Sequence, residues 1–301
     1  MVVIPARDEE ELIGRAVRSL PPDSVIVVDD GSEDKTADEA RAAGAGVLRA
    51  LQPIGREAGK PNACMQGSRV LSCRWILFAD ADTHYQPGFL PAMVGAAEEA
   101  KVNFMSIYLK PEFGSLAESI LSPYALNLYF CGINPKAHPE AAFNGQCVLV
   151  RRDPYEFVGG HKSMLNAICD DIKMAQLAQQ HRLKFDVVRA PRLGSVRIRP
   201  SDFVRNARRF GLINFSSGAI VLLSAFAYAL WLPALVWMAA GRLWGPATMF
   251  FFIPVVLLIP WYGWRRAILA PLAIYAMLPI LLRGTLGALS HGPVEWKGRI
   301  I

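Results

Sequence analysis

Cysteine is scarce here and carries no pattern. The five cysteines (Cys64, Cys73, Cys131, Cys147, Cys169) are odd in number, and no two stand at C-x-x-C spacing. That argues against a disulfide framework or a spaced zinc site and fits reduced thiols facing the cytosol. The opening MVVIPARDEE is charged by its seventh residue and does not read as a secretory leader. It runs almost at once into a strand, so a few upstream residues are expected to be missing. Acidic side chains nearly vanish after Ser195: residues 196–301 hold 11 Lys+Arg and 2 Asp+Glu, a net of +9, whereas residues 1–195 hold 21 and 24, a net of −3. The overall +6 therefore belongs to an apolar C-terminal third, not to a nucleic-acid patch, and no nucleic-acid partner is expected.

Charge is absent altogether from three runs: 32 residues between Arg209 and Arg242, 22 from Leu243 to Trp264, and 16 from Ala267 to Leu282. A helix needs ~20 apolar residues to cross a bilayer core of ~30 Å. The first two runs read as membrane spans, and the third as a short span or a re-entrant hairpin. Ahead of them SDFVRNARRFGLIN places Phe203, Ala207 and Phe210 at helical spacing with Arg205, Arg208 and Arg209, as expected of a helix lying among headgroups. Arg205/Arg208/Arg209 and Arg265/Arg266 both belong on the cytoplasmic side, which two spans satisfy; Lys297 and Arg299 then favour the re-entrant reading. The expected organisation is a cytoplasmic catalytic domain over 1–198, an interfacial helix over 199–214 and a membrane domain over 215–301. That makes a multi-pass protein of the cytoplasmic (inner) membrane.

The first two thirds alternate strand and helix. VVIPA, SVIVVDD and RWILFADAD are β-branched or aromatic runs of the kind buried on both faces of a sheet. Between and after them lie DEEELIGRAVRSL, stopped by Pro21-Pro22, then EDKTADEARAAG, with Ser32 as its cap, and PGFLPAMVGAAEEA. Short strand–helix alternation implies an α/β doubly wound parallel sheet with its ligand at the carboxyl ends of the strands. Three polar groups fall at those ends: Arg7/Asp8/Glu9, Asp29/Asp30 and Asp80/Asp82.

Each group has a bland reading and a chemical one. Asp80 and Asp82, two apart on an extended strand, would face the same way with Ala81 turned into the sheet, and a divalent cation between them and a phosphate would offset their repulsion. A turn in which a side chain bonds its own backbone also yields D-x-D. VVDDGS makes a turn and a helix cap, yet that needs only one aspartate. Two carboxylates at a strand end can accept hydrogen bonds from ribose hydroxyls and a base N–H. In GKPNA a loop lysine, Lys60, either meets a diphosphate or is simply solvated. Asp170-Asp171 opens an amphipathic helix, as a dipole-favoured acidic pair or with a general base for an acceptor hydroxyl. Gly159-Gly160 allows close backbone approach by a substrate.

In order along the chain, these segments resemble the family 2 glycosyltransferases of GT-A fold. VVIPARDEE is similar to that family's P-x-x-N-E opening, VVDDGSEDKT to its D-D-G-S-x-D-x-T segment, FADAD to its D-x-D, and NGQCVLVRRDPYEFVGGH with DDIKMA to its acceptor-side block. With the C-terminal apolar runs and VEWKGR, the resemblance extends to the membrane-bound branch that glycosylates carotenoid acids, hopanoid-type lipids and ceramide. It implies a GT-A doubly wound mixed sheet, followed by C-terminal transmembrane helices. It also implies an inverting, Mg²⁺- or Mn²⁺-dependent transfer of one sugar from a UDP-type donor to a hydrophobic lipid. Pro5, Arg7, Glu9, Asp29 and Asp30 would line the uridine pocket, Lys60 and Asp80 would meet the diphosphate and ribose, and Asp82 with Asp80 would hold the metal. Asp171 would be the base, with Gly159, Gly160, His161 and Asp170 on the acceptor side. The family's Q-x-x-R-W motif is represented only by Asn206, Arg209 and Phe210, which argues against processive polymer synthesis. The rival readings are a polyprenyl-phosphate sugar synthase and a catalytically silent nucleotide-sugar-binding membrane protein. FGSLAESILSPYALNLYF (Gly114 to Phe130) is expected to form a lipid-facing flap.

Overall fold

A computed structural model of the chain describes residues 1–52, 59–115, 118, 143–167, 169–197, 199, 230–269, 275, 279, 295–296 and 299–300. The chain separates into two compact units, one built from Met1–Lys110 and Asn134–Arg197, the other from Pro111–Ile133 and Ile198–Ile300.

The first unit is organised by one sheet. Its leading strands are β1 (Val2–Ala6), β2 (Val25–Asp29), β3 (Gly46–Arg49) and β4 (Trp75–Ala79). Helices α1 (Glu10–Arg18), α2 (Thr36–Ala42) and α3 (Gly59–Arg69) connect them. β1 pairs in parallel with both β2 and β4, and β2 with β3. All five residues of β4 are buried, which explains its uninterrupted apolar run. In α1, Ile13, Ala16 and Val17 are buried, while Glu10 and Glu11 begin and Arg15 and Arg18 end the helix in keeping with its dipole.

Next come β5 (Thr83–Tyr85), α4 (Phe89–Glu99), β6 (Phe104–Tyr108) and the short β7 (Lys110–Glu112). They are followed by β8 (Cys147–Arg151), α5 (Arg152–Phe157), a 3-10 turn (Gly160–Met164), α6 (Asp170–Gln180), β9 (Phe185–Arg189) and β10 (Gly194–Arg197). The seven strands of the main sheet lie in the order β3-β2-β1-β4-β8-β6-β9. β8 runs antiparallel to both neighbours, so the sheet is mixed. This reversal positions the site. Ala79, the last residue of β4, is opposite Cys147, the first of β8, so the residues that lead into β8 sit beside the carboxyl end of β4. Met174, Ala175, Leu177 and Ala178 of α6 join a core with Phe104, Phe143, Val148 and Val150, which fixes where the acidic first turn of α6 comes to rest.

Three local expectations change. Ser32 does not cap α2: the helix begins at Thr36, and the Ser32 hydroxyl instead accepts the N–H of Asp8 at 3.1 Å. Asp34 accepts the Thr36 N–H at 2.9 Å and does the capping work close to the helix start. Lys60 is not on a loop but in the first turn of α3, a helix whose mixed composition hides it. Asp80-Ala81-Asp82 is a turn, not extended strand, because Thr83 folds back to give both its N–H (3.3 Å) and its hydroxyl (2.7 Å) to the Asp80 carbonyl.

In the second unit, residues 230–240 are helical, followed by α7 (Trp244–Tyr262) and α8 (Trp264–Ala267), and β11 (Glu295–Trp296) pairs with β12 (Arg299–Ile300). Among the described residues no helix is long and apolar enough to cross a membrane. The second uncharged run folds as α7, a 19-residue helix ended by Gly263 at φ 70. Most of the first and third runs, the interfacial helix except Arg199, and most of the expected flap lie outside the described residues.

Candidate active site

The carboxyl ends of β1 and β4, the entry to β8, and the starts of α3 and α6 converge on one small cavity of about 10 Å³, room for little more than a water. Pro5, Lys60, Asp80, His161, Asp170 and Asp171 all line it, together with Cys64, Phe78, Gly145 and Met174. Six of the residues singled out in the sequence, from segments far apart in the chain, are thus brought to one place.

Lys60 is the cation of the cluster. Its Nζ lies 2.6 Å from Asp80 Oδ1 and donates to the Gly145 carbonyl at 3.0 Å. Burial opposes its charge, but Asp80 and Asp170 outweigh that and raise its pKa. Asp171 is held by two backbone donors, the Gly145 N–H to Oδ2 at 3.0 Å and its own helix's Ile172 N–H to Oδ1 at 2.8 Å. Burial, reinforced by the neighbouring Asp170 charge, pushes its pKa up to about 6 against the opposing pull of Lys60.

His161 is 1% exposed, and burial lowers its pKa to about 4, with Asp170 opposing. It is therefore neutral at physiological pH. Its Nδ1 shares a hydrogen bond with the Tyr155 hydroxyl at 2.8 Å, and the Tyr155 oxygen also accepts the His161 backbone N–H at 3.1 Å. Nε2 faces Asp170 Oδ2 across 4.0 Å. Tyr155 also meets Ser68 Oγ at 3.3 Å. Tyr155→Phe strands the His161 N–H and Nδ1 in the interior and is expected to lower unfolding free energy by about 1–3 kcal/mol in urea titration, with no fold change.

The remaining sequence candidates do not line this cavity. Asp29 and Asp30 are 3% exposed at the end of β2, and Asp29 Oδ1 accepts the Ser32 N–H at 3.0 Å. The loop after β1 is laced to the loop after β2: Asp8 Oδ1 accepts the Glu33 N–H at 2.9 Å, and Glu9 gives its N–H to Thr36 Oγ1 at 2.7 Å. Arg7 Nε lies 3.8 Å from Asp8 Oδ2. Asp82 anchors β10 through its carbonyl, which accepts the Arg197 N–H at 2.8 Å. Gly159 and Gly160 have φ 85 and 54, and a Cβ would strike Ser163 Oγ at 2.1 Å or the Tyr155 ring at 2.8 Å. Their glycine requirement is thus met by the fold itself, before any substrate is considered. Gly145, Cys64 and Tyr155 were not singled out in the sequence. For Gly145 the signal was there, an Asn-Gly turn dipeptide before the apolar strand β8; for the other two, nothing local marks them.

Among the described residues no three or more His, Cys, Asp or Glu side chains gather as a metal site. The donors present still fit Mg²⁺ or Mn²⁺ held partly by substrate. Asp80 and Asp82 flank a single residue at the cavity's edge, and such ions take one or two carboxylates and complete their shell with phosphate oxygens and water.

The 4,4'-diaponeurosporenoate glycosyltransferase of Staphylococcus aureus (strain MRSA252) is 30% identical over 175 residues, 54% of this chain and 46% of that protein, so the match spans about half the length of the curated relatives. Glucosyl-3-phosphoglycerate synthase from Mycobacterium tuberculosis, in complex with Mn²⁺, UDP and phosphoglyceric acid, is 21% identical over 70% of this chain and 75% of its own, with a TM-score of 0.48. Its complex with Mg²⁺ and UDP gives 20%, 71%, 77% and 0.46. Residues 1–159, more than half of the sequence, match the profile of glycosyl transferase family 2, and the chain belongs to that family.

Proposed function

We propose that this chain transfers a single sugar, with inversion, from a nucleoside-diphosphate donor of UDP type to a hydrophobic lipid acceptor at a membrane surface. The observation that carries the reading is the pairing of a half-buried, pKa-raised carboxylate, Asp171, with the Lys60–Asp80 ion pair in one cavity at the strand ends. Asp171 accepts the proton of the acceptor hydroxyl as its oxygen bonds to the sugar's anomeric carbon. The bond from that carbon to the diphosphate breaks, and the electron pair leaves with the nucleotide. Lys60 stands where it can compensate the charge that develops on the leaving diphosphate. Asp80 and Asp82 would hold Mg²⁺ or Mn²⁺, which supplies Lewis-acid stabilisation of that same charge. Asp29 and Asp30 offer acceptors for ribose and base, with Pro5, Arg7 and Glu9 alongside, while His161 and Asp170 sit on the acceptor side.

The acceptor class rests on the second unit and on the relatives. Trp237, Met249, Val256 and Trp264 are apolar side chains 72%, 68%, 59% and 66% exposed, and Arg265 and Arg266 follow Trp264 in sequence. Large exposed apolar patches with basic neighbours favour a lipid surface. The relatives' name points to a carotenoid-type lipid as one such acceptor. The catalytic unit then faces the cytoplasm on the inner membrane. The test uses membranes from cells expressing the full chain, labelled UDP-sugars and Mn²⁺. Label is expected in the organic extract, and a chelator or Asp82→Ala should reduce it at least about tenfold. UDP binding without any labelled product would leave a nucleotide-sugar-binding protein and refute transfer.

A further inference from the structure

Resting on the reading of Asp171 as the base, we infer that Gly145 is the positioning residue that sets the base against the donor-binding pair. It is the residue at which the two halves of the site meet through main chain. Its N–H holds Asp171 Oδ2 at 3.0 Å, and its carbonyl holds Lys60 Nζ at 3.0 Å. One position further on, the Gln146 carbonyl accepts the Asp80 N–H at 2.9 Å. The segment is itself pinned: the Asn144 N–H donates to Ser106 Oγ at 2.7 Å, and Asn144 Nδ2 to Gln146 Oε1 at 3.0 Å. Asp80, Lys60 and Asp171 therefore share one short, stitched piece of backbone at the entry to β8.

Gly145 is glycine for a reason that backbone conformation does not supply. Its φ lies outside the left-handed region that favours glycine. What forbids a side chain is Asp171 itself: a Cβ on Gly145 would sit 3.0 Å from Oδ2, 3.1 Å from Cβ and 3.2 Å from Cγ of that residue. No other residue contributes one of its three nearest atoms. A methyl group there leaves the backbone unstrained and pushes on the base alone. A main-chain donor placed this way also fixes the carboxylate more tightly than a side chain on its own rotamers would.

The experiment compares wild type, Gly145→Ala and Asp171→Asn, with Gly95→Ala as a surface control, in lipid-transfer kinetics on the membrane-bound full chain. Gly145→Ala is expected to lower kcat by about 10- to 100-fold with donor KM within about twofold of wild type, because displacing a reacting group by less than 1 Å already has that scale of effect. It should also move the acidic limb of the kcat profile, which a merely structural defect would leave in place. A normal kcat, or a loss carried entirely in donor KM, overturns the positioning role while a dead Asp171→Asn still upholds the base. An active Asp171→Asn sinks the base reading itself, whatever Gly145→Ala does. If Gly145→Ala is too unstable to assay, the same change in an Asp171→Ala chain should restore folding, since two of the three crowded atoms are gone. Failure to restore it shows that the crowding is not against Asp171 and overturns the inference.

Discussion

Asp171→Asn is expected to lower sugar transfer to lipid by about 10²- to 10⁴-fold, the usual contribution of a positioned general base, while UDP-sugar binding stays within a few fold of wild type. The asparagine keeps the size of the side chain and one acceptor oxygen for the Gly145 or Ile172 N–H, so folding survives and the loss reports on proton transfer. The pH dependence has a definite sign. Asp171 must be deprotonated to accept a proton, and burial has pushed its pKa up to about 6, so kcat/KM should rise with pH through an acidic limb near 6 and level above it. Residual activity in Asp171→Asn should lack that limb. Stability runs the other way. The folded carboxyl binds its proton more tightly than an unfolded aspartate, so the stability it contributes is full below the unfolded value of 3.8 and is lost as pH rises through about 6. The same residue thus costs the fold something in the range where it is catalytically competent. Transfer that survives Asp171→Asn at wild-type rates would instead mean an acceptor already ionised, such as a polyprenyl phosphate, for which no strong base is needed.

The legible parts of this architecture are those with a local cause. β1, β2 and β4 are uninterrupted apolar runs because the sheet buries both their faces, and that pattern is visible one residue at a time. Asp80, Asp170 and Asp171 are legible for the opposite reason, since charge at the end of a buried run needs a partner. What escapes is set by distant residues. β8 reverses direction, and nothing in CVLVR says so; the reversal depends on pairing with β4 and β6. α3, written GKPNACMQGSR with a glycine at its start, another at Gly67 and a proline, lacks the composition of a helix. Packing against the sheet, not propensity, makes it one. Ser32 is lost as a cap because Asp8, from a loop distant in sequence, takes its hydroxyl. Tyr155 and His161 form their buried network only once α5, α3 and the 3-10 turn have met.

That dependence of α3 on the sheet makes Gly67→Ala a disruptive small substitution outside the cavity. A Cβ at Gly67 would lie 2.6 Å from Val3 Cγ1 and 2.8 Å from Val28 Cγ2, distances that packed carbons do not tolerate. Neither valine can step aside. Both are 0% exposed in the central strands β1 and β2, and a β-branched side chain has little χ1 freedom. The helix must lift instead, at about 1–3 kcal/mol for overpacking, or a fall in Tm of about 2–12 °C by differential scanning fluorimetry. Gly95→Ala gives the sign its control. Gly95 sits in α4, its Cβ would meet nothing within 4 Å, and alanine there should stabilise by up to about 1 kcal/mol. The same substitution thus acts in opposite directions on two helices, according to what lies under the glycine. The consequence reaches function through Lys60, which rides on the first turn of α3 and is placed to within 2.6 Å of Asp80 only while that helix lies flat. Gly67→Ala should therefore raise donor KM more than it lowers kcat, the reverse of what Gly145→Ala does. A stable Gly67→Ala enzyme with an unaltered donor KM would show that α3 does not depend on close contact with the sheet, and that Lys60 reaches the donor by its own flexibility.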